Sequence, residues 1–365
     1  MRGTWSGVIA LLCCLAAAAS AQAGLYNTAE PDESPASLLL TPKGVQPLPF
    51  ERFRRDVLSD LIGIANPKPE SPKRRRYLSR RDELLAKSRS GRLSAEEQMN
   101  LGAYLIRLKQ YDDAVRLLTR AAEEDPSNAL CLANLATAHQ GNGQPERAIY
   151  WLQRLKRKGR WNGLTAQQRD WFQHAEEYHL RLLLLRTSEM PRGGSSQPAT
   201  AVDALFSATG APVRWVGENG HYEPGQMAAS ERAKLPADAL ALVEQLLIWL
   251  PDDTRLYWLF GELLNAQGDV QGAAAVFEDC VWNRGWNVET LKEHRRLVKE
   301  AKPAAEPVGQ ITVTSTPPRQ SPPDWLPSRG KLLVVGSLAF AIIAGLVTLQ
   351  IKEVRRRRLP PSSKH

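Results

Sequence analysis

The chain has 365 residues, 43% apolar and 24% charged, a balance that excludes a chain disordered throughout, a collagen-like repeat and a polytopic membrane protein. Four cysteines are too few for a disulfide-dense scaffold. The net charge of +9 is concentrated: residues 352–365 carry +5 and residues 73–92 carry +7, so most of the chain is mildly acidic. Charge confined to two short runs removes the main support for nucleic-acid binding, and no nucleic-acid partner is expected.

Residues 1–23 read as a secretory signal peptide: Arg2, an apolar run Val8–Ala19, then Ala21-Gln22-Ala23 ahead of a cut before Gly24. An uncleaved anchor is the alternative. Cys14 follows Cys13 and Cys13 follows Leu12, not the small residue a lipoprotein signal needs. Residues 24–72 hold eight prolines and one apolar patch: Phe50, Phe53, Val57, Leu61 and Ile64. Their spacing by three and four predicts a short amphipathic helix after Pro49. Alone it would not stay folded, so it docks on its own domain or on a partner.

Residues 73–190 open on the basic run Lys73–Arg92. This predicts a solvated helix, with an acidic partner or a lipid surface as the other readings. Two units of thirty-four residues follow, 95–128 and 129–162. In the first, Leu101, Gly102, Leu105, Ala114, Leu118, Ala121 and Pro126 fill positions 7, 8, 11, 20, 24, 27 and 32. In the second, Leu135, Ala136, His139, Ala148, Leu152 and Leu155 fill the same positions up to 27, and Arg160 takes 32. Small residues at 8, 20 and 27 let two antiparallel helices approach. Large ones at 7, 11 and 24 fill the layer between repeats, and proline at 32 stops the second helix. A further helix over 165–188, with Trp171, Phe172, Ala175, Tyr178, Leu182 and Leu185 on one broad face, caps this block.

Residues 191–225 begin as a Gly/Ser/Pro linker. Within them β-prone runs flank Asn219-Gly220 in Val213–Tyr222, which predicts a two-stranded hairpin packed on helices. It serves as a structural insertion or as an exposed binding module. Residues 226–300 carry the second block. Unit 254–287 has Tyr257 at position 4 and Phe260, Gly261, Leu264, Ala273, Phe277 and Cys280 at 7, 8, 11, 20, 24 and 27, with Gly268-Asp269 at the turn. One unit earlier only Ala239, Val243, Leu246 and Pro251 match, so its first helix is degenerate. Residues 288–301, with Leu291 and Val298, form the closing helix.

Residues 301–330, with seven prolines, predict an extended stalk reaching up to roughly 90 Å. Residues 331–351 contain the apolar run Leu332–Ile351 between Lys331 and Lys352, long enough to span about 30 Å of hydrocarbon as a helix. The basic tail 352–365 stays cytoplasmic by its charge and lies near anionic lipid at about 1 kcal/mol per cation. The bulk, residues 24–330, is then outside the cytoplasm, periplasmic or extracellular.

The repeat pattern resembles the tetratricopeptide repeat over roughly residues 95–162 and 235–287. The resemblance implies an all-α fold: a short solenoid in two blocks, here with a small β-hairpin insertion and one C-terminal transmembrane helix. It also implies a concave groove, lined by the first helices, that holds an extended peptide or a partner helix. Asn100 and Asn134 share position 6; a side-chain amide both donates and accepts, so such a row can grip peptide backbone. Arg107, Gln140, Arg255, Trp258, Glu262 and Asn265 are the other groove positions. Met99, Ala133, Ala103 and Thr137 stand where the family's chaperone-tail clamp needs basic residues, so that clamp is not expected.

No chemistry is legible. His174 and His179 are five apart, off one helical face, and no H-E-x-x-H, G-x-S-x-G or phosphate-binding glycine loop is present. Glu176-Glu177 reads as a solvated face and Asp252-Asp253 as a loop after Pro251. No catalytic, cofactor-binding or metal site is expected, and Cys131 and Cys280 are expected as buried free thiols. The expectation is therefore an exported, single-pass, membrane-anchored repeat protein of bacterial type that acts as a binding scaffold, not an enzyme. A self-assembling structural component of the cell envelope, or a non-catalytic accessory subunit of an envelope enzyme complex, is the alternative.

Overall fold

Three helical hairpins, one on each full repeat unit, carry the computed structural model. It describes residues 26–27, 39–41, 44–68, 70–189, 201–207 and 211–301, all within the first of two compact units, residues 1–304. The expected signal peptide, linker residues 191–200, stalk residues 302–330, the apolar run Leu332–Ile351 and the basic tail lie outside the described residues. Among the described residues no helix is long and apolar enough to cross a membrane.

The N-terminal segment first forms a two-residue antiparallel pair, β1 (Leu40–Thr41) with β2 (Gly44–Val45), in the register Leu40↔Val45. The expected amphipathic helix follows as α1 (Phe50–Arg52), a π-helical stretch (Phe53–Leu58) and α2 (Ser59–Ala65). Phe50, Phe53, Val57, Leu61 and Ile64 are all buried. The basic run is α3 (Pro72–Ser90), N-capped by Ser71.

The first block is α4 (Ala95–Arg107) with α5 (Tyr111–Glu124), then α6 (Ala129–Gly141) with α7 (Pro145–Lys158), closed by α8 (Ala166–Glu189). A Ser94/Glu97 capping box starts α4, and Asn128 caps α6. The second block has only the short α9 (Ala229–Arg232) where the degenerate helix was expected, then α10 (Ala239–Trp249). The hairpin α11 (Thr254–Ala266) with α12 (Val270–Trp282) and the closing helix α13 (Glu289–Glu300) complete it.

The turns display the repeat register. Gln110, Gln144 and Asp269 each donate their backbone N–H to the carbonyl at position 11, Leu105, His139 and Leu264, at 2.8, 2.9 and 3.0 Å. Position 15 is left-handed in every hairpin: Lys109 at φ +61°, Gly143 at +69° and Gly268 at +91°. Small residues at position 8 are demanded by packing. A Cβ on Gly102 would meet the Leu118 side chain, and one on Gly261 the Phe277 ring, the same 8-to-24 contact in two units.

The two blocks do not stand apart. Helix α10 packs on α8, and the π-helical stretch packs on α10. Phe53 and Phe50 lie 5.3 and 6.2 Å from the Phe260 ring on α11, while α2 packs on α3 and α4. Arg107 donates to the Ile248 carbonyl at 2.6 Å, and Lys109 pairs with Asp252 at 2.7 Å. Cys131 and Cys280 are free and buried, and burial pushes both thiols up to about 12.

The expected hairpin at Val213–Tyr222 is corrected. Its turn forms: Gly217 N–H donates to the His221 carbonyl at 2.7 Å, with Gly220 at φ +83°. The flanking runs are not strands. Their backbone groups go elsewhere, Arg214 N–H to the buried Glu231 carboxylate at 2.9 Å and the Val216 carbonyl to Ala228 N–H at 2.8 Å. A two-stranded hairpin is marginal alone, and partners on neighbouring segments outcompete it.

Candidate functional site

The first helices of the hairpins present the positions expected to line a groove, and stretches of the chain's own backbone lie on two of them. In the first block, Asn134 on α6 is fully buried. Its Oδ1 accepts from Tyr26 N–H and its Nδ2 donates to the Tyr26 carbonyl, both at 3.1 Å. The Tyr26 ring packs edge-on to Phe172 and Trp161, with centroids 5.4 and 5.7 Å away, and against Trp249 at 6.0 Å. Its hydroxyl donates to Glu176 Oε1 at 2.9 Å. Burial first, and the Glu176 charge second, push that hydroxyl well above the ordinary phenol range.

Glu176 in turn meets His179 Nδ1 at 3.0 Å, and His179 Nε2 meets Gln140 Oε1 at 2.6 Å. Asn100 and Arg107 on α4 are also buried. The solvated reading of Glu176 is therefore corrected: it is 5% exposed and ties the N-terminal tyrosine to α8, whereas Glu177 is exposed.

In the second block Asn265 repeats the chemistry. Its Oδ1 accepts from Gly225 N–H at 2.7 Å and its Nδ2 donates to the Glu223 carbonyl at 3.2 Å. Arg255 donates to Glu189 at 2.5 and 3.1 Å and to the Ala201 carbonyl at 2.8 Å. Asp203, fully buried at its side chain, lies 3.3 Å from Arg255 and 2.7 Å from Arg186. Trp258 Nε1 donates to Glu262 Oε1 at 2.7 Å, and His294 Nδ1 on α13 lies 2.7 Å from the same oxygen. The Tyr222 ring stacks on His294 with centroids 3.6 Å apart.

The eight sequence-predicted residues thus divide between two places. Asn134 grips Tyr26 and Gln140 reaches it through His179 and Glu176, while on α4 Asn100 is buried and Arg107 ties the helix to α10. Arg255, Trp258, Glu262 and Asn265 stand under the two described stretches of the next segment, residues 201–207 and 211–228. That segment does not fill its groove. A cavity of about 560 Å³ remains between it and helices α11 and α13, floored by Trp258 and walled by Trp215, Tyr222, Phe206, Glu262 and His294. Sequence reasoning missed Tyr26, Glu176, Asp203, Trp215 and His294. Only the i, i+3 spacing of Glu176 and His179 on one helix carried a signal. Asp253, expected in a loop, caps α11 through Leu256 N–H at 3.0 Å and pairs with Arg186. Among the described residues no group of three His, Cys, Asp or Glu side chains is placed to hold a metal ion.

Stacked antiparallel helix pairs with a shared turn geometry and a lined concave face define a helical-repeat scaffold. Two family models described as tetratricopeptide repeat match the chain, over residues 105–161 and 229–281. The chain therefore carries tetratricopeptide repeats in both blocks, and such repeats suggest a protein-interaction scaffold. A comparison with curated proteins finds no match.

Proposed function

We propose that the protein is a membrane-tethered, non-catalytic scaffold that holds an extended segment of a partner protein in the second groove, over Trp258. The observation that carries this is the cavity of about 560 Å³ left open on the concave face of α11. The first groove is packed with Tyr26 and with side chains from α8 and α10; the second keeps room for one or two partner side chains. Asn265 supports the mode of binding. It already holds main chain, the Glu223–Gly225 turn, through a donor and an acceptor, which requires no particular side-chain sequence. Tethering rests on the sequence: a secretory signal at one end, and an apolar twenty-residue run with a basic tail at the other.

The test is site-specific photo-crosslinking of the full chain in its own membrane. His221 and Thr290, exposed at the cavity rim, are replaced by a benzophenone residue, with exposed Glu123 on α5 as the control. A distinct polypeptide adduct from the two rim positions, absent from the control and lost on Trp258→Ala in a folded chain, is the expected result. Identical adducts from all three positions would overturn the groove reading.

A further inference from the structure

We propose that the outward face of α7 rests on the headgroups of an anionic phospholipid bilayer. This surface is separate from both grooves, and the inference does not depend on the partner-groove reading. Residues 145–161 form a third basic run, with Arg147, Arg154, Lys156, Arg157, Lys158 and Arg160 against the single acid Glu146. Among the described residues only Lys156 of these cations has a carboxylate partner, Glu177 on α8 at 3.0 Å. The charge of the other five is not used to hold the fold together. Lys156, Arg157 and Lys158 end the helix, where cations complement its dipole. That accounts for the last turn alone. Arg147 lies in the first turn, where the dipole disfavours a cation, and Arg160 lies beyond the helix.

Helical spacing gathers these cations with two aromatic rings. Arg147, Tyr150, Trp151, Arg154, Arg157 and Lys158 follow one another at steps of three and four along one stripe. The stripe points away from Ala148, Leu152 and Leu155, the buried residues of α7. Tyr150 is 51% exposed, and Arg147, Arg157 and Lys158 are exposed. The Tyr150 ring stands edge-on to Trp151 with centroids 5.1 Å apart, and the Arg154 guanidinium lies over Trp151 at 5.3 Å. Tyrosine and tryptophan settle at headgroup level in a bilayer, and lysine and arginine are drawn to anionic lipid there. As the second helix of its hairpin, α7 stands on the side of the stack away from the grooves. An outward ridge meets a flat bilayer along its length, and offers an acidic polypeptide no groove to lie in.

The test uses the full chain reconstituted in vesicles, with a dansyl amino acid in place of Gln153, three residues from Tyr150 and four from Arg157. The same label at exposed Glu289 on α13 is the control. The vesicles are phosphatidylcholine, or an equal mixture of phosphatidylcholine and phosphatidylglycerol, each with a trace of lipid spin-labelled at the headgroup. Quenching at 153 is expected in the mixed vesicles, with none in phosphatidylcholine and none at 289. High salt should abolish it. Arg157→Gln should lower the ratio of docked to undocked chain about fivefold, the effect of one cation near the surface, and Tyr150→Ser should lower it several-fold with the charge unchanged. No quenching at 153, or equal quenching in the two lipids or at the two labels, would overturn the inference. An emission shift at 153 on adding polyglutamate, with no quenching by either vesicle, would also overturn it and assign the ridge to an acidic polypeptide.

Discussion

A buried amide that donates and accepts closes off two backbone groups at once, and Asn134 does this for Tyr26. Leaving either group bare would cost about 1–3 kcal/mol, so one short side chain anchors the N-terminal segment as firmly as its aromatic ring does. Glu244 on α10 anchors the same segment further along, accepting from Leu48 N–H at 2.9 Å. Burial pushes its carboxyl up to about 8, with only that hydrogen bond working against the shift. Between the ordinary carboxylate range and about pH 8 the folded chain therefore holds a proton that the unfolded chain has released. The stability this group contributes is full at low pH and is lost as pH rises through about 8. Glu244→Gln should flatten that part of the pH profile and raise stability above pH 8 by a few kcal/mol. Urea midpoints from pH 5 to 9 check this, and an unchanged slope in the variant would count against it.

The helical hairpin is the element that recurs, and its tightest contact is glycine at position 8 against the large residue at position 24. A methyl group at Gly261 would meet the Phe277 ring, which cannot fold away, whereas at Gly102 it would meet the branched end of Leu118. Alanine gains about 1 kcal/mol in helix propensity over glycine, but overpacking costs about 1–3 kcal/mol. Gly261→Ala is therefore expected to destabilise the chain, and to do so more than Gly102→Ala. Thermal melts of the two variants check the order; a stabilised Gly261→Ala would mean that α11 and α12 have room to separate. The failed hairpin at Val213–Tyr222 follows the same logic in reverse. Its turn is locally encoded, but the buried Glu231, drawn down to about 2 by Arg214 N–H and by Lys234, holds the backbone in place of a second strand.

The two repeat blocks are joined through α8, α10 and an ion cluster. Arg186 on α8 reaches Asp203 and the Asp253 cap of α11. Burial pushes the Asp253 carboxyl up, but the Arg186 charge outweighs it and holds the group below its usual range. Removing one member of such a cluster leaves the others buried and uncompensated, at about 3–5 kcal/mol. Arg186→Met should cost this much, and wild type should unfold in one transition by both tryptophan fluorescence and far-UV circular dichroism. Separate transitions for the two blocks, or a loss below about 1 kcal/mol, would mean that the cluster sits on the surface of two independent domains.

The hairpins and the need for small residues at position 8 were legible in the chain because a thirty-four-residue period records local packing, whereas the partner of each glycine, the large residue at position 24 of the same unit, was found only in the structure. The buried face of the helix that begins at Phe50 was also legible, from its spacing alone. The contents of the grooves were not legible. Asn134 finds its partner 108 residues away and Asn265 one 40 residues away, and no local pattern encodes which strand of backbone will reach them. The burial of Glu176 and the pairing of Asp203 with two arginines were hidden for the same reason. Composition cannot distinguish a charged residue that faces water from one that meets its partner only when distant segments pack together.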